Sequence, residues 1–426
     1  MRQNKFFSAN MLKALGPGIL FASTAIGVSH LVQSTRAGAE YGFALVWAIV
    51  AANVFKYPFF EYGSRYANAT GTSIIDGYAK LGKWMLVLYL LVVLGSMFFV
   101  TAAVSFVTAG FLQNLLHIQF FPQYKLFTTF LLFVICVGIL LWGKYQTLDK
   151  MIKVIGGVLL VSTLLAFVLT LWHGPITPVA GFLPPSVWSD KSILFIIALM
   201  GWMPTALDLS AWNSLWTIER IKQTNYTPTL KETLFDFNLG YWISAILSLC
   251  FVTLGAFLMY GSGIVLSDGA AAFANQVVSL YTTTIGSWSY FIISVSAFSI
   301  MFGTAIAVFD GYARSLERSV ELLFFKPEKQ AFLLQNRRFY IICLLVLAGG
   351  SFIIIAQFQQ NLKGLVDLAT SISFVIAPLI AVVNFILVGK RFVPKWAVPP
   401  FWLRLLSYVG IVFLIGFSVV YIWELL

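Results

Sequence analysis

Polar and apolar positions along this chain do not alternate with a short period. They fall into long blocks. Eleven mostly apolar blocks run near 16–35, 43–62, 84–109, 124–142, 151–172, 192–217, 237–260, 286–311, 339–357, 364–388 and 401–423. Each has about the 20 residues that an α-helix needs to cross the hydrocarbon core of a bilayer. The links between them are short, the longest being 261–285 and 312–338. The pattern predicts an all-α integral membrane protein with eleven transmembrane helices, a single membrane domain over residues 1–426.

Composition agrees. Hydrophobic residues make up 60% of the chain and charged residues 10%, against about 25% charged in a soluble domain. Mean hydropathy is +0.89. A soluble enzyme, a nucleic-acid binder and a disordered chain are excluded, because none could keep so much apolar surface from water. Cys136, Cys250 and Cys343 all lie inside apolar blocks and read as small core residues. No cleavable signal peptide is expected, since the first apolar block opens on Gly16-Pro17-Gly18 and contains a histidine.

The net charge of +11 concerns orientation. With eleven spans, 22 of the 27 Lys and Arg fall on the side of the N-terminus and four (Arg36, Lys125, Lys191, Lys363) on the other, with Lys56 inside span 2. Basic residues collect on the cytoplasmic side. The N-terminus is therefore expected in the cytoplasm and the C-terminus outside, in an inner or plasma membrane. The surplus of positive charge needs no nucleic-acid partner to explain it.

Two spans are interrupted. Span 1 contains Ala25-Ile26-Gly27-Val28-Ser29-His30, and span 6 contains Gly201-Trp202-Met203-Pro204-Thr205-Ala206-Leu207-Asp208-Leu209-Ser210. Each has a breaker near its middle followed by hydroxyl and ionisable groups. Irregular backbone at membrane depth is tolerated only where it is buried or lines a cavity. Broken helices at matching positions of two halves point to a transporter site. Spans 1–5 (about 16–172) and 6–10 (about 192–388) then form two repeats. Five is odd, so the repeats are inverted, and span 11 (about 401–423) is an addition.

Gly16-Pro17-Gly18, the stretch Ala37-Gly38-Ala39-Glu40-Tyr41-Gly42-Phe43 and Met203-Pro204 make the sequence resemble the Nramp family of divalent-metal transporters. The resemblance implies the inverted-repeat architecture shared with amino-acid/cation symporters, with substrate bound between the two breaks. It also exposes departures. The family's metal-binding Asp-Pro-Gly-Asn of span 1 falls on Gly27, Val28, Ser29 and His30. The family's Met of span 6 is kept as Met203, but its two histidines fall on Thr205 and Ser210. The acidic pair in its span 3 has no counterpart, since residues 84–116 contain no Asp or Glu.

The expected substrate-binding residues are Gly27, Ser29, His30, Met203, Thr205 and Asp208, and the expected coupling or gating residues are His30, Lys56, Asp208 and Asp310. A hard divalent cation wants carboxylates. The second half of each broken helix instead presents an N-terminus that favours an anion, where Ser29, His30 and Thr205 can donate hydrogen bonds. The main reading is a small anion such as bicarbonate. The alternative is manganese or magnesium, proton-coupled, held by His30, Met203 and Asp208. His30 titrates near neutral pH when unperturbed and is a candidate proton carrier; the coupling ion is expected to be a proton or sodium. Lys56 is expected either to snorkel to the cytoplasmic interface or to pair with Glu61, Asp208 or Asp310. Arg36 lies four residues before Glu40, and Asp367 opens span 10. His117 and His173 fall in outer links. A channel would show a filter sequence or polar pore-lining repeats. An enzyme would show a catalytic constellation, and an ATP-driven pump a phosphate-binding loop. The sequence carries none of these and implies no cofactor.

Overall fold

The computed structural model describes residues 13–118, 125–142, 145–325, 338–358 and 361–425. Arg2, Lys5, Lys144, Lys326, Lys329 and Arg337, which enter the charge count above, lie outside the described residues. All eleven expected spans are helical.

Span 1 is built from α1 (Pro17–Ala25), a π-helical stretch (Ser29–Ser34) and α2 (Thr35–Tyr41). Span 2 is α3 (Val46–Thr70), followed by the short α4 (Ile74–Leu81), which Ser73 and Asp76 start with a capping box. Spans 3 to 5 are α5 (Lys83–Leu115), α6 (Lys125–Trp142) and α7 (Tyr145–His173). Span 6 is split into α8 (Asp190–Gly201) and α9 (Leu209–Thr224). Span 7 is α10 (Leu230–Leu258), and α11 (Ala270–Ile285) follows it. Spans 8 to 11 are α12 (Tyr290–Phe324), α13 (Arg338–Gln357), α14 (Leu362–Leu387) and α15 (Phe401–Leu425). Six of the described helices are long and apolar enough to cross a membrane as single unbroken pieces.

Two connections are more structured than the polar pattern suggests. The link 261–285 contains α11, whose buried Phe273, Ala274, Val277 and Val278 pack on α5. Span 8 runs on to Phe324, so α12 has 35 residues. At about 1.5 Å per residue that exceeds the hydrocarbon core. Its last turns are tied by charge: Arg318 bonds Asp76 on α4 and Glu321 on its own helix.

Helix pairing exchanges the two halves of the chain. Span 1 packs on span 7, span 6 packs on span 2, and spans 3 and 8 pack on each other. Swapping 1 with 6, 7 with 2 and 3 with 8 leaves this scheme unchanged, as two inverted repeats require. Span 7 supports span 1 at three depths. A Cβ on Gly18 would lie 1.9 Å from the Asp236 carbonyl, and one on Gly240 1.9 Å from the Gly18 carbonyl. A Cβ on Gly38 would lie 2.1 Å from the Val252 carbonyl, and one on Gly255 2.2 Å from the Thr35 carbonyl. Between these two backbone contacts, the His30 ring reaches Ser244. The Asp236 carboxylate also accepts from Gly16 N (2.9 Å) and Gly18 N (2.6 Å), satisfying donors at the start of α1.

Candidate functional site

The breaks lie where the sequence puts them. Helix α1 ends at Ala25, and the chain resumes as a π-helix at Ser29. Helix α8 ends at Gly201, the Met203–Pro204 peptide is cis, and α9 starts after Asp208. Between the breaks sits a small cavity lined by Thr24, Val28, Ser29, Val100, Val104, Trp202, Thr205, Ala206, Leu209, Thr304 and Val308. Its volume is about 20 Å³, room for about one water. A larger substrate would enter only with the breaks parted.

The polar groups of this lining are hydroxyls. Thr24 Oγ1 donates to the Leu20 carbonyl (2.7 Å) and Thr304 Oγ1 to the Ser23 carbonyl (2.8 Å). Ser29 Oγ lies 2.6 Å from the Ala25 carbonyl and 2.7 Å from His30 Nδ1. The Trp202 indole N–H is taken by Ser373 (2.9 Å). No acid, amine or imidazole is among the lining residues.

The expected site residues separate into those that line the cavity and those that brace it. Ser29 and Thr205 line it. Gly27 lies against span 8: a Cβ there would meet Thr304 Oγ1 at 2.7 Å and Cγ2 at 2.8 Å. Thr304, which sequence reasoning missed, fills the space a side chain at position 27 would need. His30 is fully buried and turned toward span 7. Its Nε2 donates to the Ser244 carbonyl (2.9 Å), its Nδ1 bonds Ser29, and its ring meets Phe251 edge-on. Both ring nitrogens thus face protein groups, and His30 is not among the lining residues. Met203 is buried at the cis peptide and does not line the cavity either.

Asp208 is buried beyond the break. Its Oδ2 accepts from Tyr312 (3.0 Å) and Ser96 (3.3 Å). Lys56 reaches none of its expected partners by a hydrogen bond. Its fully buried Nζ donates to the carbonyls of Met200 (3.2 Å), Gly201 (2.9 Å) and Thr205 (2.8 Å), while Asp208 stands within Coulombic range. Glu61 pairs with Arg65. Asp310 accepts from Arg314 Nε (2.8 Å), the Tyr340 hydroxyl (2.9 Å) and the Trp216 indole N–H (3.2 Å), away from the cavity.

Two clusters of contacts hold the two ends of span 1. Toward the C-terminal end of span 1, Gln33 Nε2 (2.9 Å) and Arg36 Nη1 (2.8 Å) both donate to Asp367 on span 10. The Arg36 guanidinium also lies 4.7 Å over the Phe195 ring of span 6, and its contact with Glu40 is longer, at 3.6 Å. Toward its N-terminal end, Phe21, Phe60, Phe237, Tyr57 and Tyr241 pack ring against ring between spans 1, 2 and 7.

Two inverted halves, two broken helices and a cavity between the breaks define a secondary transporter of the LeuT-like fold. Comparison with known proteins agrees. The pattern of the natural resistance-associated macrophage protein-like (Nramp) family matches residues 18–424, and the chain belongs to the Nramp family. An uncharacterized protein of Pasteurella multocida is 36% identical over 416 residues, covering 96% of this chain and 92% of that protein. Among solved structures, a point mutant of the manganese transporter of Eremococcus coleocola superposes with a TM-score of 0.69 at 12% identity, over 99% of this chain and 88% of that one. Mhp1, a nucleobase-cation-symport-1 family transporter in a closed conformation, gives 0.60 at 15% identity, over 96% and 92%. At such identities these two likenesses concern the fold alone.

Proposed function

We propose that this Nramp-family transporter carries a small oxyanion of the size of bicarbonate by alternating access between the breaks of spans 1 and 6. The observation that supports this most is the chemistry of the cavity. Its polar lining is four neutral hydroxyls, and where the family places a metal-binding Asp, Thr304 leaves Gly27 no room for a side chain. A divalent cation stripped of water needs anionic oxygens. Backbone carbonyls at the breaks could substitute in part, but these already have donors: Lys56 for Met200, Gly201 and Thr205, Thr304 for Ser23, and Ser29 for Ala25. The negative ends of the two first half-helices are thereby masked in part. Bicarbonate has two accepting oxygens and one O–H; Thr24 and Thr304, whose protons go to backbone carbonyls, can accept that O–H. Thr205, whose hydroxyl has no protein partner among the described residues, is the first candidate donor. Orientation follows the basic residues, with the N-terminus in the cytoplasm.

A second reading is divalent-metal transport, the norm of the family and the activity named for the Eremococcus transporter. Met203 and the buried Asp208 support it. Among the described residues, however, no three His, Cys, Asp or Glu side chains gather as a metal site would need. Calorimetry on purified protein separates the two. Bicarbonate should give saturable heat that Thr205→Val weakens by at least about fivefold, and manganese at millimolar concentration should give none. Saturable manganese heat that survives His30→Ala and Met203→Leu, with no bicarbonate heat, would overturn the proposal.

A further inference from the structure

Lys56 is a fully buried cation held by main-chain oxygens, and neither substrate reading makes it a ligand of the carried ion. Its Nζ is fully buried in the middle of α3. Three main-chain oxygens converge on it at 2.8 to 3.2 Å, from Met200 and Gly201 at the end of α8 and from Thr205 just past the cis peptide. The Phe60 ring centroid stands 5.9 Å away. Asp208 is the carboxylate in Coulombic range, and its own hydrogen bonds go to Tyr312 and Ser96. The carbonyls belong to a helix C-terminus, the negative end of the α8 dipole. A ring of backbone carbonyls at a broken half-helix end is the kind of place where transporters of this architecture coordinate a free monovalent cation. Here the amine arrives on a side chain from a neighbouring span.

We infer that the span 6 break contains a monovalent-cation site built from the carbonyls of Met200, Gly201 and Thr205, and that the Lys56 ammonium is its permanent, tethered occupant. The break keeps its shape because the amine is tethered and cannot leave. No free sodium ion is needed at this position, and a sodium-coupled cycle through it is closed off. Lys56 acts through the backbone of span 6, so it is a positioning residue. The inference holds whichever ion is carried.

Chemical replacement tests it. Lys56→Ala removes the part of the side chain that n-propylammonium would restore. The variant is purified with and without n-propylammonium, and its thermal midpoint and labelled-substrate uptake are followed. The expected result is a midpoint that rises saturably by several degrees with n-propylammonium, much less with the longer n-hexylammonium, and not at all in the wild type. Uptake should recover in parallel for whichever ion the wild type moves. Lys56→Met, of similar length without the charge, should lose at least about tenfold in uptake. An amine-insensitive midpoint in folded Lys56→Ala, a variant unfolded with and without amine, or wild-type uptake in Lys56→Met would each overturn the inference. The midpoint is read without any transported ion, so failure of the bicarbonate proposal and failure of this one are told apart.

Discussion

Small substitutions at positions 27 and 30 carry much of the site's character. Gly27 touches Thr304 closely enough that any Cβ displaces it. Gly27→Ala should destabilise by about 1–3 kcal/mol, the usual cost of overpacking, and Thr304→Ala should relieve most of this, giving a non-additive double-mutant cycle in thermal midpoints. Gly27→Asp alone should bind no manganese in calorimetry, because its carboxylate has no space. His30→Ala leaves the Ser244 carbonyl without its ring donor and should lower stability by roughly 1–3 kcal/mol. The KM for the transported ion should stay within about twofold, since the ring does not line the cavity. Both positions stand out in the chain because they fall at a break. Their roles are not visible there: Ser244 lies 214 residues from His30, and nothing local to Gly27 announces Thr304. Lys56 shows the same limit. Acidic partners can be listed from sequence, whereas backbone carbonyls released by a distant break cannot.

At the scale of elements, the two breaks, the inverted halves and all eleven spans are readable, because block length and breaker residues are local properties. Which helix supports which is not. Span 7 holds span 1 through Gly18–Gly240, His30–Ser244 and Gly38–Gly255, contacts that depend on small residues meeting across helices. With the N-terminus in the cytoplasm, as proposed, the outer closure would rest on few side chains, Gln33, Arg36 and Asp367. Asp367→Asn removes the charge that both donors share, and should shift the population toward an outward-open state. With Thr205→Cys as the reporter, labelling by a membrane-impermeant thiol reagent from outside should accelerate several-fold over the same reporter without the second change. Unchanged labelling would place the outer closure elsewhere.

Across the whole molecule, charge is spent in two ways. Most Lys and Arg are expected to set orientation, and acids and bases at depth pair along one helix, as Glu61–Arg65 and Asp310–Arg314 do, or between helices, as Arg36–Asp367 and Lys56 on its carbonyls do, instead of lining the cavity. A periplasmic reporter enzyme fused after Leu426 should be active, and a cytoplasmic reporter at the same position inactive; the reverse would refute an odd number of spans. The scarcity of charge around the cavity is the ground on which the proposal above separates this chain from the metal transport that is the norm of its family. Parallel uptake of labelled bicarbonate and labelled manganese into the same batch of proteoliposomes addresses that separation most directly. Saturable bicarbonate uptake, reduced at least about fivefold by Thr205→Val, with manganese uptake no faster than in empty liposomes, is the expected result. Saturable manganese uptake with bicarbonate at background would contradict it.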